Sequence, residues 1–556
     1  MRRFKALLTG FAILIAAAAV RLPTLTAGLP YMTYVDEGHV LHHVVHLLAA
    51  GTWEPDTYSY PSLPFYLVAG AALAYSPLYA ARHGQPLRAD LSPDPMRYYE
   101  ILEPTDLLVL GRLVTLAFSL GIVLLAGLLA RRLAGPAAGL FAAWLAALVP
   151  ALVARSSIAN INPMVAFFGL AALFFAERAR DGGRPRRDAI LAGVMVGLTG
   201  ATKYPAALIC LPVAVAILLA DAAWRERLTR LVLAGGSAVA ALLLAMPALV
   251  LRTGRVLAGL REMSAVYGMQ EAGSYWDQAV RRGEWDLPLD HPEVGIVFLV
   301  LAAAGLLAGL SDRRWSKSVW GWLLFGAATA LLVAPYKFRA FRNLLTLVPL
   351  ACVLVALLYA KIRQRAPRRL WVDLAAAVLP IVLFAPALNG YIRHQLGVED
   401  SREQAIRWLA EHTGPRDKIL FSEEIAILPS RIATLKTPET DVKPWGRARD
   451  RVISRRYHYL VLGQLVKRTG QSKIPPEITA WILLNYEVQA TFGSYPTHYY
   501  WKEYKGNGQA IYILKRVPRK DDRGRPKQAT RTRRETDPRP LTERHTPRKA
   551  QAPQQD

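Results

Sequence analysis

The sequence predicts an all-α polytopic membrane protein of about 11 transmembrane helices plus interfacial helices, carrying a small C-terminal α/β extracytoplasmic domain. Three observations lead there. Apolar runs of near-spanning length recur from end to end, the basic short loops alternate with other loops, and helical periodicity gives way to strand-like runs past residue 392. Hydrophobic residues make up 53% of the 556, and the mean hydropathy is +0.20. About 20 apolar residues cross the hydrocarbon layer as a helix, which satisfies its own backbone polar groups where no water can. A soluble core does not absorb so many segments.

The expected spans are 6–22, 108–130, 136–154, 162–177, 189–204, 206–221, 230–250, 293–310, 318–334, 343–360 and 371–388. The stretch 62–80 is also apolar, but Pro61, Pro64 and Pro77 interrupt it. If it stays on one side, Arg2, Arg3 and Lys5 fall on the same face as the clusters at 131–132, 178–187, 225–230, 313–317 and 361–369. Such a basic face is cytoplasmic. The expectation is an interfacial or re-entrant helix at 62–80, a cytoplasmic N-terminus and an extracytoplasmic C-terminal domain. Leu22-Pro23-Thr24-Leu25 lacks a small-x-small cleavage pattern, so the first apolar run is expected to remain as a span.

A net charge of +26 would point to nucleic acid in a soluble chain. Here it follows from the basic loops and from residues 517–556, where 12 Lys/Arg face 6 Asp/Glu. No nucleic-acid partner is predicted. That tail lacks apolar periodicity and is expected to be disordered. The only cysteines, Cys210 and Cys352, fall inside expected spans and offer no disulfide or metal set. The expected organisation is a membrane domain over 1–391 with a first outer loop at 24–106, an α/β domain over 392–516, and the basic tail. A second outer segment, 252–292, holds Trp276 and Trp285. Within the C-terminal domain, Ser401 to Glu411 reads as a helix capped by Ser401, and Lys418 to Phe421, Tyr457 to Leu462 and Gln509 to Leu514 read as strands.

The first outer loop carries Asp36-Glu37 just past the first span, at the start of a helix over 37–51. Two acids there suit a helix N-terminus electrostatically, and equally suit proton transfer at the membrane surface. His39, His42, His43 and His46 follow. His42 and His46 lie one turn apart, a metal-binding spacing, but the sequence identifies no partner ligand and no metal site is assigned. Lys203-Tyr204 ends the fifth span, while Arg339 and Arg342 precede the tenth. Basic residues on the outer face run against the usual loop bias, which points to an anion such as a phosphate as well as to snorkelling.

As an ordered set, these elements resemble family 39 glycosyltransferases of the GT-C fold, bacterial type. That family includes protein O-mannosyltransferases and the aminoarabinose transferases that modify lipid A. The resemblance rests on Tyr34-Val35-Asp36-Glu37, Tyr60-Pro61-Ser62-Leu63-Pro64-Phe65-Tyr66, the Arg112 span ending in Ala130-Arg131-Arg132-Leu133, Arg155 to Phe168, Gly197 to Tyr204, and Arg342-Asn343-Leu344-Leu345 leading to Pro349. It covers roughly 1–390. It implies an inverting enzyme of the plasma (inner) membrane that uses a polyprenyl-phosphate sugar at the outer face, with a protein, lipid or glycan as acceptor. On that basis Asp36 is the expected base and Glu37 its support or an orienting group. Lys203 and Arg342 are expected to neutralise the departing phosphate, with Tyr204, Tyr60, Arg112 and Arg339 as further substrate contacts. Such relatives usually carry an acid where this sequence has Asn162, and an amide cannot supply that charge. No cofactor is assigned, and a divalent cation stays open. Two rival classes are a transporter or flippase of lipid-linked sugars, which calls for charges at mid-membrane, and a non-catalytic homologue.

Overall fold

The computed structural model describes residues 2–32, 35–91, 105–266, 294–335, 341–397, 399–422, 425, 427, 429–435, 439–443, 457–463, 476–493 and 511–517. Arg339, Trp276, Trp285, Tyr34 and the tail beyond 517 lie outside them.

The described chain is mostly helical. In order come α1 Arg2–Arg21, α2 Val35–Ala50, α3 Leu63–His83, α4 Leu87–Asp90, α5 Thr105–Ala134, α6 Pro136–Leu148, α7 Pro150–Ser156, α8 Asn162–Asp181 and α9 Pro185–Thr202. A 3-10 turn, Tyr204–Ile209, leads into α10 Cys210–Leu218, followed by α11 Trp224–Ala245, α12 Ala248–Leu251 and α13 Thr253–Val266. Then come α14 Ile296–Leu310, α15 Ser316–Val333, α16 Leu347–Arg365, α17 Arg369–Gly397 and α18 Ser401–His412. Seven of the described helices are long and apolar enough to cross a membrane, eight if α6 and α7 form one bent span. The expected set of about 11 differs by omitting α3 and adding α8, α9, the 204–218 segment and α14, which are shorter or less apolar.

The expected span 136–154 is instead two helices meeting at 57°. Pro150 has no N–H to donate, and its ring crowds the carbonyl of Ala146, so the helix breaks there. The fully buried Arg21 at the end of α1 fills the gap, donating from Nη2 to the Ala146 carbonyl at 3.2 Å and from Nη1 to the Ala147 carbonyl at 2.6 Å. Elsewhere α9 and α11 approach with almost nothing between them. A Cβ on Gly193 would lie 2.0 Å from the Ala234 carbonyl oxygen, and one on Gly197 2.2 Å from that of Ala238. Two glycines four apart give backbones this approach in a membrane, where packing rather than hydrophobicity joins helices.

The placement of α3 follows from its neighbours. Val68 lies beside Gly111, and the Tyr75 hydroxyl donates to Asp106 at 2.7 Å. Seven residues along α3 thus match only the first two turns of α5, a helix of 30 residues, and α3 runs on past its end. Its other side packs on α2, where the Phe65 ring lies 4.4 Å from that of His43. Arg88, just beyond it, returns to the Ala49 carbonyl at 3.5 Å. A helix that meets α5 in its first two turns fits an interfacial position. Cysteines introduced at Thr26 and Arg88 are therefore expected to label from outside and one at Arg131 from inside. Labelling of Thr26 and Arg88 from opposite sides would make α3 a span.

Past α17, the α18 helix is capped by Asp400, not Ser401: its side chain accepts the Arg402 amide. The strands β1 Lys418–Ser422, β2 Glu439–Lys443, β3 Tyr459–Gly463, β4 Tyr486–Phe492 and β5 Ile511–Arg516 form a mixed sheet of order β2-β1-β3-β5-β4. β1 runs parallel to β2 and β3, while β5 runs antiparallel to β3 and β4. β2 carries no apolar alternation, whereas β4 alternates apolar and polar residues from Tyr486 to Phe492 and is a strand that the sequence analysis missed.

Candidate active site

Asp36 and Glu37 occupy the first turn of α2, where successive side chains point about 100° apart. That rotation separates them completely. Glu37 is fully buried, and its carboxylate receives Arg112 Nε at 2.8 Å and Nη2 at 3.0 Å, while the Ala159 amide donates to it at 2.9 Å. Arg112, equally buried, uses Nη1 on the Leu25 and Ala27 carbonyls at 2.8 and 2.9 Å. The two residues thus clamp α2, α5, the segment after α1 and the loop before α8. Neither lines the cavity described below, and Arg112, expected as a substrate contact, here holds these segments together. Asp36 points the other way. Its Oδ2 lies 3.5 Å from Arg342 Nε, with one fifth of its side chain exposed.

Arg342 belongs to the 3-10 turn Phe341–Leu344 and lines a cavity of about 130 Å³. Lys203, Tyr204 and Tyr60 line the same cavity. α9 stops at Thr202 because Pro205 cannot continue it, and Lys203 takes an extended backbone that presents its side chain there. Its ammonium donates to Asn343 Oδ1 at 2.8 Å and to Asn162 Oδ1 at 3.2 Å. An acid at position 162 would pair with this lysine's charge, whereas the amide accepts its hydrogen bond without neutralising it. The Asn343 contact was legible only through its place beside Arg342. The Tyr204 hydroxyl donates to the Tyr58 carbonyl at 3.0 Å, holding the 52–62 loop over the cavity, and the Tyr60 ring sits 4.7 Å from that of His39. The opposite wall is apolar, from Leu260 and Met263 on α13 and Phe325, Leu332 and Val333 on α15. Of the predicted site residues, Lys203, Tyr204, Tyr60 and Arg342 come together, with Asp36 at the Arg342 edge.

On the helical face after Asp36, the enclosed His43 imidazole is held well below its ordinary pKa, chiefly by burial and then by the neighbouring histidines. It is neutral near pH 7.

Residues 106–251 match the family model described as dolichyl-phosphate-mannose-protein mannosyltransferase, a stretch that contains Arg112, Asn162, Lys203 and Tyr204. The structure of ArnT from Cupriavidus metallidurans in the apo state superposes over 91% of this chain and 98% of that one, with a TM-score of 0.52 at 13% identity. The membrane domain has the GT-C fold. The archaeal oligosaccharyltransferase AglB from Archaeoglobus fulgidus, in complex with an inhibitory peptide and a dolichol-phosphate, shares that fold. It aligns with a TM-score of 0.50 over 83% of this chain and 70% of its own, at 13% identity. No curated protein sequence matches. With seven described helices long and apolar enough to cross a membrane, the chain is a multi-pass membrane protein.

Proposed function

We propose that this GT-C protein is an inverting glycosyltransferase that moves a sugar from a polyprenyl phosphate to an acceptor hydroxyl or amine at the outer face of the membrane. One observation carries the proposal: two cations from distant parts of the chain, Lys203 and Arg342, line one half-apolar cavity with Asp36 at its edge. The lipid phosphate sits between the two cations, and the isoprenoid tail follows the α13 and α15 wall. Asp36 takes the proton of the acceptor as its oxygen or nitrogen attacks the anomeric carbon. The bond from that carbon to the phosphate oxygen breaks, the electron pair leaves with the phosphate, and both cations stabilise the added charge. Arg342 links the two events. With no donor bound it pairs with Asp36, and a phosphate drawing it away leaves the carboxylate more basic when it is needed. Tyr60 and Tyr204 shape the sugar's side of the cavity. The dolichol-phosphate bound by AglB is the same chemical class of carrier.

Each cation supplies a charge-assisted contact worth about 1.5–3 kcal/mol, a loss of about 10- to 150-fold in donor use on removal. Lys203→Ala and Arg342→Ala are expected to lower kcat/KM for donor by that factor while the fold survives, and Asn162→Asp, by neutralising Lys203, to act in the same direction. The assay follows release of polyprenyl phosphate from a panel of synthetic polyprenyl-phosphate sugars, with membrane extract as the acceptor source. Snorkelling predicts no change in donor use. If both alanine variants match the unmodified protein across donor concentrations, the phosphate site is elsewhere.

A further inference from the structure

The histidine face of α2 holds a group that the transfer chemistry does not use. His42 Nε2 lies 2.6 Å from one oxygen of Asp56, and His46 Nδ1 lies 2.7 Å from the other. The His43 ring packs against that of His42, with centroids 5.3 Å apart. His43 is 1% exposed, and both its ring nitrogens are buried without a hydrogen-bond partner among the described residues. One ligand atom each from His42, His43 and Asp56 all fall within 4.8 Å of one another. Buried polar atoms are almost always bonded, and an ion placed here would satisfy one of these two nitrogens. Two imidazoles and a carboxylate suit a borderline divalent transition metal better than calcium or magnesium, which take oxygen ligands.

We propose that His42, His43 and Asp56 bind a divalent transition-metal ion, zinc above all, which pins the 52–62 loop to α2. Bonds of about 2.0–2.2 Å in a tetrahedral site put ligand atoms about 3.3 Å apart. The His42–Asp56 pair therefore opens by about 0.7 Å as the ion enters. His46 stays on the second carboxylate oxygen, the outer contact that orients a ligating acid. Water completes the site. The ion's effect reaches the cavity through the chain, because Asp56 is followed by Tyr58, whose carbonyl receives Tyr204, and by Tyr60, which lines the cavity. Its role is structural, holding the loop that bounds the cavity.

The test uses the full-length chain in detergent, stripped with a chelator and titrated with Zn²⁺ alone against a chromophoric indicator. Co²⁺ serves as a spectroscopic probe of geometry. Expected are one saturable equivalent and Co²⁺ absorption of tetrahedral intensity. Asp56→Asn and His43→Ala should each weaken binding by more than about 100-fold, beyond the cost of losing an outer contact. His83→Ala, whose ring stacks on Tyr79 at 4.2 Å, should bind as the unmodified chain does. Asp56 is partly exposed, so its amide variant remains decisive should His43→Ala fail to fold. Absence of saturable binding, or binding retained by Asp56→Asn, overturns the site. The readout is metal alone, so its failure is distinct from failure of the proposed sugar transfer.

Discussion

Asp36→Asn is expected to leave the protein folded and to cut sugar transfer by about 10²- to 10⁴-fold, the usual contribution of a general base. The amide keeps the side chain's shape on a partly exposed helix turn, so little packing changes. Removing the charge also removes the carboxylate that competes with donor for Arg342, so donor binding should hold or tighten while turnover collapses. A loss confined to kcat distinguishes a base from a binding residue. The measurement pairs polyprenyl phosphate release at saturating donor with a thermal scan of the purified variant. Normal expression with undiminished turnover would remove Asp36 from the mechanism.

Arg112→Ala is expected to do the reverse. It strands the buried Glu37 carboxylate, and breaking a buried pair by removing one partner costs about 3–5 kcal/mol. The Leu25 and Ala27 carbonyls lose their donor at the same stroke. The expected result is a lowered thermal transition and poor recovery from detergent. Arg112→Lys should rescue only in part, since an ammonium keeps the charge without the two-pronged geometry. An unchanged transition together with weaker donor binding would return Arg112 to the substrate.

The division of labour within Asp36-Glu37 explains what the sequence could and could not convey. Apolar runs and basic loops are summed signals over many residues, so the helical membrane architecture was legible in outline, and the sequence also singled out Lys203, Tyr204 and Arg342, which line one cavity. Which of two adjacent acids faces inward depends on the phase of one helix turn and on Arg112, a residue 75 positions away. No local pattern encodes that. Asp56 escaped notice for the same reason: its histidine partners lie 10 and 14 residues earlier, across a loop of unknown path. The break at Pro150 was foreseeable from the proline alone, but its remedy, an arginine from α1, was not.

The stacking of α18 against the segment ahead of α2 has a mechanical meaning. Arg402 lies 3.8 Å over the ring of Tyr31, and the Tyr31 hydroxyl reaches Glu403 at 3.2 Å. Tyr31 stands five residues before Asp36 in the chain, so the helix introducing the C-terminal sheet holds the tether of the proposed base. Two side chains of one helix thus tie the C-terminal region to the segment that leads into α2.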